Sequence, residues 1–252
     1  MPFSLKPATL LVCGLTLLLA GCATQPASHN ETAAAAELSA PQPAPAQEER
    51  LGTAWGENID SSVVSVEANR QSSRPTRMAT VYYLGGRVPS DARTYTQVAL
   101  GDVEMRIQDD SGRNMKIIRN ARGDHQLFAF EGERYALAFN NHSRTVTYEI
   151  VSTVDGLDVL TGKPGSIEQR GYLLYPRTSL RIEGFRKSDD AVAAFRFAHP
   201  DAAYAANSAY GDAGNVGVIG VATFAIAPEK LPDCKPQAWP DNNGYAQPPC
   251  RK

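Results

Sequence analysis

The sequence has few of the residues from which catalytic and metal sites are commonly built. It contains four histidines and four cysteines among 252 residues, and aromatic residues make up 8%. The motifs His-Glu-x-x-His, Gly-x-Ser-x-Gly and Ser-x-x-Lys are absent, so common signatures of zinc peptidases and serine hydrolases are missing. We therefore expect no metal and no cofactor. A formal net charge of −2 gives no general attraction for nucleic acid, which basic domains bind.

The N-terminus carries a mainly apolar stretch that is too short to span a membrane. It covers residues 8–20 and follows Lys6, whereas a transmembrane helix needs about 20 apolar residues. Length and charge are typical of a signal peptide, residues 1–21. The stretch ends in Leu19-Ala20-Gly21-Cys22, which resembles the lipobox of bacterial lipoproteins. The resemblance implies cleavage before Cys22 and acylation of that cysteine, so that acyl chains anchor the mature protein to a membrane.

Two further segments flank the body of the chain. Residues 22–50 are the acylated N-terminus and a linker; from residue 23 they hold nine alanines, four prolines and no aromatic residue. Such a composition cannot bury enough apolar surface to fold, so we expect a disordered spacer. Residues 229–252 form a proline-rich tail with Cys234 and Cys250. For an exported chain, these two cysteines predict one disulfide.

Ala23 stands at the position after the lipidated cysteine, where an aspartate would retain a lipoprotein at the inner membrane. Its presence favours the outer membrane as the location, with the body facing the periplasm.

The body, residues 51–228, reads as β-structure nearly throughout. Apolar and polar residues alternate over 103–108, as in a strand with one buried face. Asp155-Gly156 is a strong two-residue turn signal. Residues 216–226 are apolar on both faces, which indicates a central strand. We therefore predict an antiparallel β-sandwich with one short helical connection, near residues 201–208.

The same alternation places Phe128 and Phe130 on the apolar face of a strand, followed by a turn at residues 131–133. It then places Tyr135, Leu137 and Phe139 on the apolar face of the next strand. The pattern leaves open whether the body is one sandwich or two modules divided near residues 125–132.

A set of ordered motifs in the second half of the body resembles a recurring arrangement in uncharacterised proteobacterial envelope proteins. The resemblance covers residues 133–226 and implies a folding module there, without any catalytic residue. Its motifs are Val154-Asp155-Gly156-Leu157-Asp158-Val159, Gly162-Lys163-Pro164, Arg170-Gly171-Tyr172, Gly184-Phe185-Arg186-Lys187-Ser188 and Asn215-Val216-Gly217-Val218-Ile219-Gly220-Val221.

Arginine and tyrosine side chains near predicted turns are candidates for a recognition surface, because both are enriched at interface hot spots. The alternative is that these tyrosines cap the core and these arginines solvate strand edges. In the tail, two aromatic residues lie between the cysteines and are candidates for an exposed tip. The candidate residues are Arg170, Tyr172, Arg186, Tyr204, Trp239 and Tyr245.

These features predict a lipid-anchored, non-enzymatic envelope protein that binds another envelope component, either a protein or peptidoglycan. One alternative is an envelope hydrolase that acts on peptidoglycan or glycan through clustered acids, for which Asp155, Asp158 and Glu183 are candidates. Another alternative is a lipoprotein subunit of a secretion or appendage machine.

Overall fold

Two β-sheets make up most of the protein, whose computed structural model describes residues 49–228. The chain is mainly β with few helical residues, as predicted. The strands are β1 (Glu49–Arg50), β2 (Gly52–Asp60), β3 (Arg77–Gly85), β4 (Thr94–Tyr95), β5 (Val98–Leu100), β6 (Val103–Asp109), β7 (Ile117–Arg119), β8 (His125–Ala129), β9 (Arg134–Asn141), β10 (Tyr148–Val154), β11 (Leu157–Asp158), β12 (Tyr172–Leu174), β13 (Ser179–Ile182), β14 (Gly184–Ser188), β15 (Ala191–Ala198) and β16 (Val218–Ala225).

The helical segments are short. The α-helix α1 covers Tyr204–Asn207, directly after a 3-10 turn at Pro200–Ala202, and a second 3-10 turn covers Ala213–Asn215. The helical connection predicted near residues 201–208 is therefore confirmed. Within residues 49–228, no helix has both the length and the apolar character needed to cross a bilayer.

The first sheet has the order β11-β10-β16-β3-β8-β7-β4, with β1 added on β3 and β12 on β10. The second sheet has the order β14-β15-β9-β6-β5, with β13 added on β9 and β2 on β15. Strand β16 lies between β10 and β3, as expected for a run that is apolar on both faces. Strands from both halves of the body occur in each sheet, and one cluster of buried side chains includes residues of both sheets.

The pair β3–β8 is parallel, whereas the other pairs among the described strands are antiparallel. A parallel pair needs a crossover connection. Here the chain between β3 and β8 contributes β5 and β6 to the second sheet before it returns. The predicted antiparallel sandwich thus contains one parallel pair.

Burial follows the predicted alternation in some strands and is shifted by one residue in β8. Leu127 and Ala129 are buried there, while Phe130 is 48% exposed, so the inward placement of Phe128 and Phe130 was wrong. The pairing sets this frame, because Leu127 lies opposite the buried Tyr83 of β3. A shift of one residue exchanges the two faces of a strand. The alternation in β6 is confirmed, and so is the burial of Tyr135, Leu137 and Phe139 in β9.

A buried hydrogen-bond network connects the two sheets at the turn between β10 and β11. Asp155 (φ +52°) and Gly156 (φ +76°) form the predicted two-residue turn. The Asp155 carboxylate accepts hydrogen bonds from the Thr53 amide at 2.7 Å, from the Gly217 amide at 2.8 Å and from the Tyr83 hydroxyl. Thr53 belongs to the second sheet and Tyr83 to the first. The carboxylate is therefore held by donors from both sheets.

The network continues into the core through three hydroxyl groups. The Thr53 hydroxyl oxygen lies 2.7 Å from the hydroxyls of both Tyr83 and Tyr135. Because Tyr83 donates to Asp155, its oxygen accepts from Thr53, and Thr53 in turn accepts from Tyr135. Burial raises the pKa of both tyrosines well above the usual value, so they stay protonated donors. We call Thr53, Tyr83, Tyr135 and Asp155 the inter-sheet network.

Candidate functional site

Residues 61–69, here called the strap, run in extended form from the end of β2 to Arg70 without pairing as a strand. A groove with a volume of about 740 Å³ lies between the strap and strand β12. One wall is formed by residues 63–69 and the other by residues 170–173 with Tyr175, while Glu149 and Leu160 complete the lining. We call this cavity the strap groove.

The first end of the strap is fixed to the second sheet. The amides of Ser61 and Val63 donate to the carbonyl oxygens of Asp190 and Asp189, both at 2.8 Å. The guanidinium of Arg186 donates to the Ser61 carbonyl oxygen at 2.5 Å and to the Ser61 hydroxyl at 3.0 Å. A charged donor thus holds the strap where it leaves β2, and such bonds are stronger than neutral ones.

The second end of the strap is fixed to the outer face of the first sheet. Arg70 Nε lies 2.6 Å from a carboxylate oxygen of Glu149, whose side chain is almost completely buried. The Arg70 guanidinium also donates to the carbonyl oxygens of Ile167 and Gln169. Its central carbon lies 3.6 Å from the centre of the Phe224 ring, within the range of a cation–π contact. The buried carboxylate therefore has a charged partner and the guanidinium has several acceptors.

Between these two ends the strap is open. Residues 64–67 make no backbone hydrogen bond with the rest of the described chain, and the Ala68 carbonyl oxygen directly after them accepts a hydrogen bond from Arg170 at 2.9 Å. Val64 is 87% exposed and Val66 is 56% exposed. An extended segment with unpaired backbone groups and bare valines is a template for pairing with another strand.

The opposite wall is the edge of the first sheet, since β12 pairs with β10 alone. Gly171 allows this close pairing, because a Cβ atom there would lie 2.2 Å from the Ile150 carbonyl oxygen. Tyr172 accepts a hydrogen bond from Arg186 Nε at 3.1 Å, and Tyr175 is half exposed. Burial raises the pKa of the Tyr172 hydroxyl and the bond from Arg186 opposes that rise. This wall presents aromatic surface to the groove.

The structure brings together three of the six candidate recognition residues. Arg170 and Tyr172 line the strap groove, and Arg186 contacts both the strap and Tyr172. Both arginines bind carbonyl oxygens of the strap, so part of their donor capacity serves the protein itself. Tyr204 lies elsewhere, with its ring centre 4.7 Å from that of Trp55 and 5.0 Å from that of Phe185. The other predicted site residues lie outside the described residues: Cys22, Cys234, Trp239, Tyr245 and Cys250.

Sequence reasoning missed the ion pair of Arg70 with Glu149 and the strap itself. Glu149 occupies a polar position in an alternating strand, which the pattern assigns to solvent. A signal for the strap does exist, because three of the four residues in Val63-Val64-Ser65-Val66 are β-branched. No local pattern reveals that such a run stays unpaired.

The three acids of the hydrolase alternative are each held by structural partners. Asp155 belongs to the inter-sheet network. Asp158 is buried and accepts hydrogen bonds from the Thr161 amide and hydroxyl, both at 2.8 Å. Glu183 pairs with Arg181 at 3.0 Å. Within residues 49–228, no group of three or more His, Cys, Asp or Glu side chains has the arrangement of a metal site.

Comparison with known proteins gives no match for this chain among family models, curated proteins or solved structures. The resemblance over residues 133–226 therefore stays a prediction, and function has to be inferred from the sequence and the groove.

Proposed function

We propose that this chain is a lipid-anchored, non-enzymatic protein of the bacterial envelope whose β-sandwich binds an extended segment of another envelope protein in the strap groove. The observation that carries the proposal is the open part of the strap, residues 64–67, which faces the edge strand β12 across the groove. Addition of an extended peptide to exposed strand-like backbone is a recurrent mode of peptide recognition.

The chemistry of the groove favours a peptide over a glycan. The unbonded amides and carbonyls of residues 64–67 offer donors and acceptors along an extended line. Val64 and Val66 present apolar surface, and alternate side chains of an incoming strand would contact them and Tyr175. Exposed apolar surface that is grouped at one place marks an interaction site. Apolar walls and free backbone groups suit a protein segment better than a heavily hydroxylated sugar.

The position of the tether suits such a role. The linker joins the body at β1, which pairs with Leu84 and Gly85 at one end of β3. The strap joins the first sheet at Arg70, near the other end of β3, where Arg77 pairs with Thr223. A nine-residue strand spans about 30 Å at about 3.3 Å per residue. An anchor at Cys22 therefore leaves the groove accessible, and confinement to one membrane raises its effective concentration toward a partner there.

Site-specific photo-crosslinking in the native host tests the proposal. A photoreactive amino acid is placed at Val64 or at Tyr175, on opposite walls of the groove, and at Phe130 as a control that is comparably exposed and does not line the groove. We expect adducts with the same envelope protein from Val64 and Tyr175, and none from Phe130. Mass spectrometry of the adducts should place the crosslink in an extended segment of that partner.

Two companion variants separate the groove from the anchor. Val66→Asp introduces charge into the groove and should reduce the adduct at Tyr175 about tenfold, the effect of about 1.4 kcal/mol. Cys22→Ala removes the acylation site and should release the chain from the membrane and lower both adduct yields. Equal yields from all three positions, or adducts that a muramidase digests, would refute a protein-binding groove. A Cys22→Ala chain that stays in the membrane fraction would refute the anchor.

A further inference from the structure

The chain leaves its last described strand at the mouth of the strap groove. Beyond β16, Ile226 forms an isolated bridge with Arg70, and the Ala227 amide donates to the Asn69 carbonyl oxygen at 2.7 Å. Asn69 itself lines the groove. The tail, residues 229–252, therefore starts beside the wall that the strap forms.

We infer that residues 229–252 of this same chain dock in the strap groove and compete there with the envelope partner. The inference rests on the groove of the proposed function, whereas the identity of the partner does not enter it. The tail becomes an intramolecular inhibitor of its own binding site.

The composition of the tail suits the surface that the groove offers. Its 24 residues include five prolines, and proline has no amide hydrogen, so such a segment offers carbonyl oxygens more readily than donors. The amides of residues 64–67 have no backbone acceptor in the described chain and are therefore matched to those carbonyls. Proline-rich segments adopt an extended helix that aromatic-lined grooves bind at low entropic cost. Tyr172 and Tyr175 provide aromatic surface here.

The length of the tail is sufficient. Between Pro228 and Trp239 the chain advances 11 residues, which reach about 34 Å at about 3.1 Å per residue in the extended proline conformation. The nine-residue strap measures about 30 Å when extended. The segment up to Trp239 can therefore follow the whole groove from the end at Asn69.

Covalent attachment makes even weak docking effective. A short connection gives an effective concentration of about 1 mM, so a segment with a dissociation constant of about 0.1 mM occupies the groove about nine-tenths of the time. The apparent affinity of the partner then falls in proportion to the remaining free fraction, about tenfold. A partner with higher affinity displaces the tail.

Fluorescence of Trp239 tests the inference in the full chain. The sequence has two tryptophans, so Trp55→Phe leaves Trp239 as the sole tryptophan; Trp55 does not line the groove. We expect blue-shifted emission and slow quenching by iodide. Adding Tyr175→Ala should lower the ratio of docked to free tail about tenfold, the effect of about 1.4 kcal/mol, and shift the emission about halfway toward that of exposed tryptophan. Phe130→Ala is the matched control and should change neither signal, with circular dichroism checking that every variant keeps its β-structure.

Solvent-like emission of Trp239 that Tyr175→Ala leaves unchanged would overturn the inference. A second measurement separates it from the proposed function: serine replaces Pro236, Trp239 and Pro240, and the crosslink from Val64 to the partner is quantified. A docked tail predicts a higher yield in this variant, and an unchanged yield contradicts it. If the proposed function is wrong, neither chain gives an adduct, while Trp239 still reports docking.

Discussion

Two buried carboxylates, one within strand β10 of the first sheet and one in the turn that follows it, have contrasting surroundings. Asp155, in the turn directly after β10, is 1% exposed and lies between the sheets, where backbone amides and the Tyr83 hydroxyl donate to it. Glu149, within β10, is 2% exposed on the outer face, where Arg70, the residue directly after the strap, covers it. The donors to Asp155 come from strands of both sheets, whereas the main partner of Glu149 belongs to a segment outside the strand ladders.

The difference shows that two carboxylates with similar burial can have different structural roles. Loss of the hydrogen bonds of Asp155 weakens both sheets at once, because its donors hold the two sheets to each other. Loss of the contacts of Glu149 releases a surface segment while both sheets stay paired. Local opening of this kind has its own free energy, below that of global unfolding. The strap groove is thus bounded on one side by an element of lower stability.

The largest effect is expected from Asp155→Asn. Asparagine tolerates the positive φ of this position, but its amide group replaces one acceptor oxygen with a donor that faces donors. We expect a loss of about 3 kcal/mol in the free energy of unfolding, since buried groups are left unsatisfied. Urea unfolding measures this loss, and amide hydrogen exchange should accelerate in both sheets together.

Tyr83→Phe is the matched control for that prediction, because it removes one donor to the carboxylate, and the acceptor of the Thr53 hydroxyl, but leaves the carboxylate itself. Its cost should be smaller, about 1 kcal/mol. Faster exchange confined to the turn between β10 and β11 in Asp155→Asn would show that this network does not join the sheets.

An intermediate and local effect is expected from Glu149→Gln, which removes the charge that Arg70 pairs with. A hydrogen bond to a charged group contributes about 2 kcal/mol, so opening of the strap should become about thirtyfold more frequent. The amides of Val63 and Gln71, which bond to Asp189 and Ala225, should then exchange faster by that factor. Hydrogen exchange followed by mass spectrometry measures it, and the core strands β9 and β15 should keep their rates.

Arg181→Met provides a control for the loss of charge alone, because Arg181 and Glu183 form a more exposed pair of the kind that contributes little. If amide hydrogen exchange in the Glu149→Gln chain accelerates as much in β9 as in the strap, the distinction between the two carboxylates is lost.

The sequence predicted features that depend on local periodicity and local turn chemistry. The alternation of β6 and the turn at Asp155-Gly156 follow from the two-residue period of a strand and from residues that tolerate positive φ. The inward placement of Phe128 and Phe130 failed because the frame of β8 is set by parallel pairing with β3, more than forty positions earlier. Local patterns contain no information about such pairings.

The candidate site was predictable by composition and not by geometry. Arginine and tyrosine near predicted turns pointed to Arg170, Tyr172, Arg186 and Tyr204. The first three lie at the strap groove, whereas Tyr204 does not. The partners of both arginines are 102 and 125 positions away in the chain. The pair of Arg70 with Glu149 joins residues 79 positions apart. The positions of these three arginines in the sequence therefore do not reveal that they hold the strap.

The smallest effect is expected at a partly exposed carboxylate, which completes the comparison with the two buried ones. Asp109 accepts hydrogen bonds from the Ser111 hydroxyl at 2.7 Å and from the Arg113 amide at 2.9 Å. These hydrogen bonds lower the pKa of Asp109 from 3.8 to about 2, and the bond from Ser111 has the largest effect. A lowered pKa stabilises the fold above pH 3.8, and the contribution disappears as the pH falls through about 2.

Asp109→Asn should therefore destabilise the protein at pH 6 and have little effect near pH 2. Solvent screens this carboxylate, whose side chain is 26% exposed, so the difference at pH 6 should stay below about 1 kcal/mol. Urea unfolding of both chains at pH 6, 4 and 2 measures the difference. A difference that stays constant over this range would mean that the turn is stabilised by shape alone and that ionisation of Asp109 does not contribute.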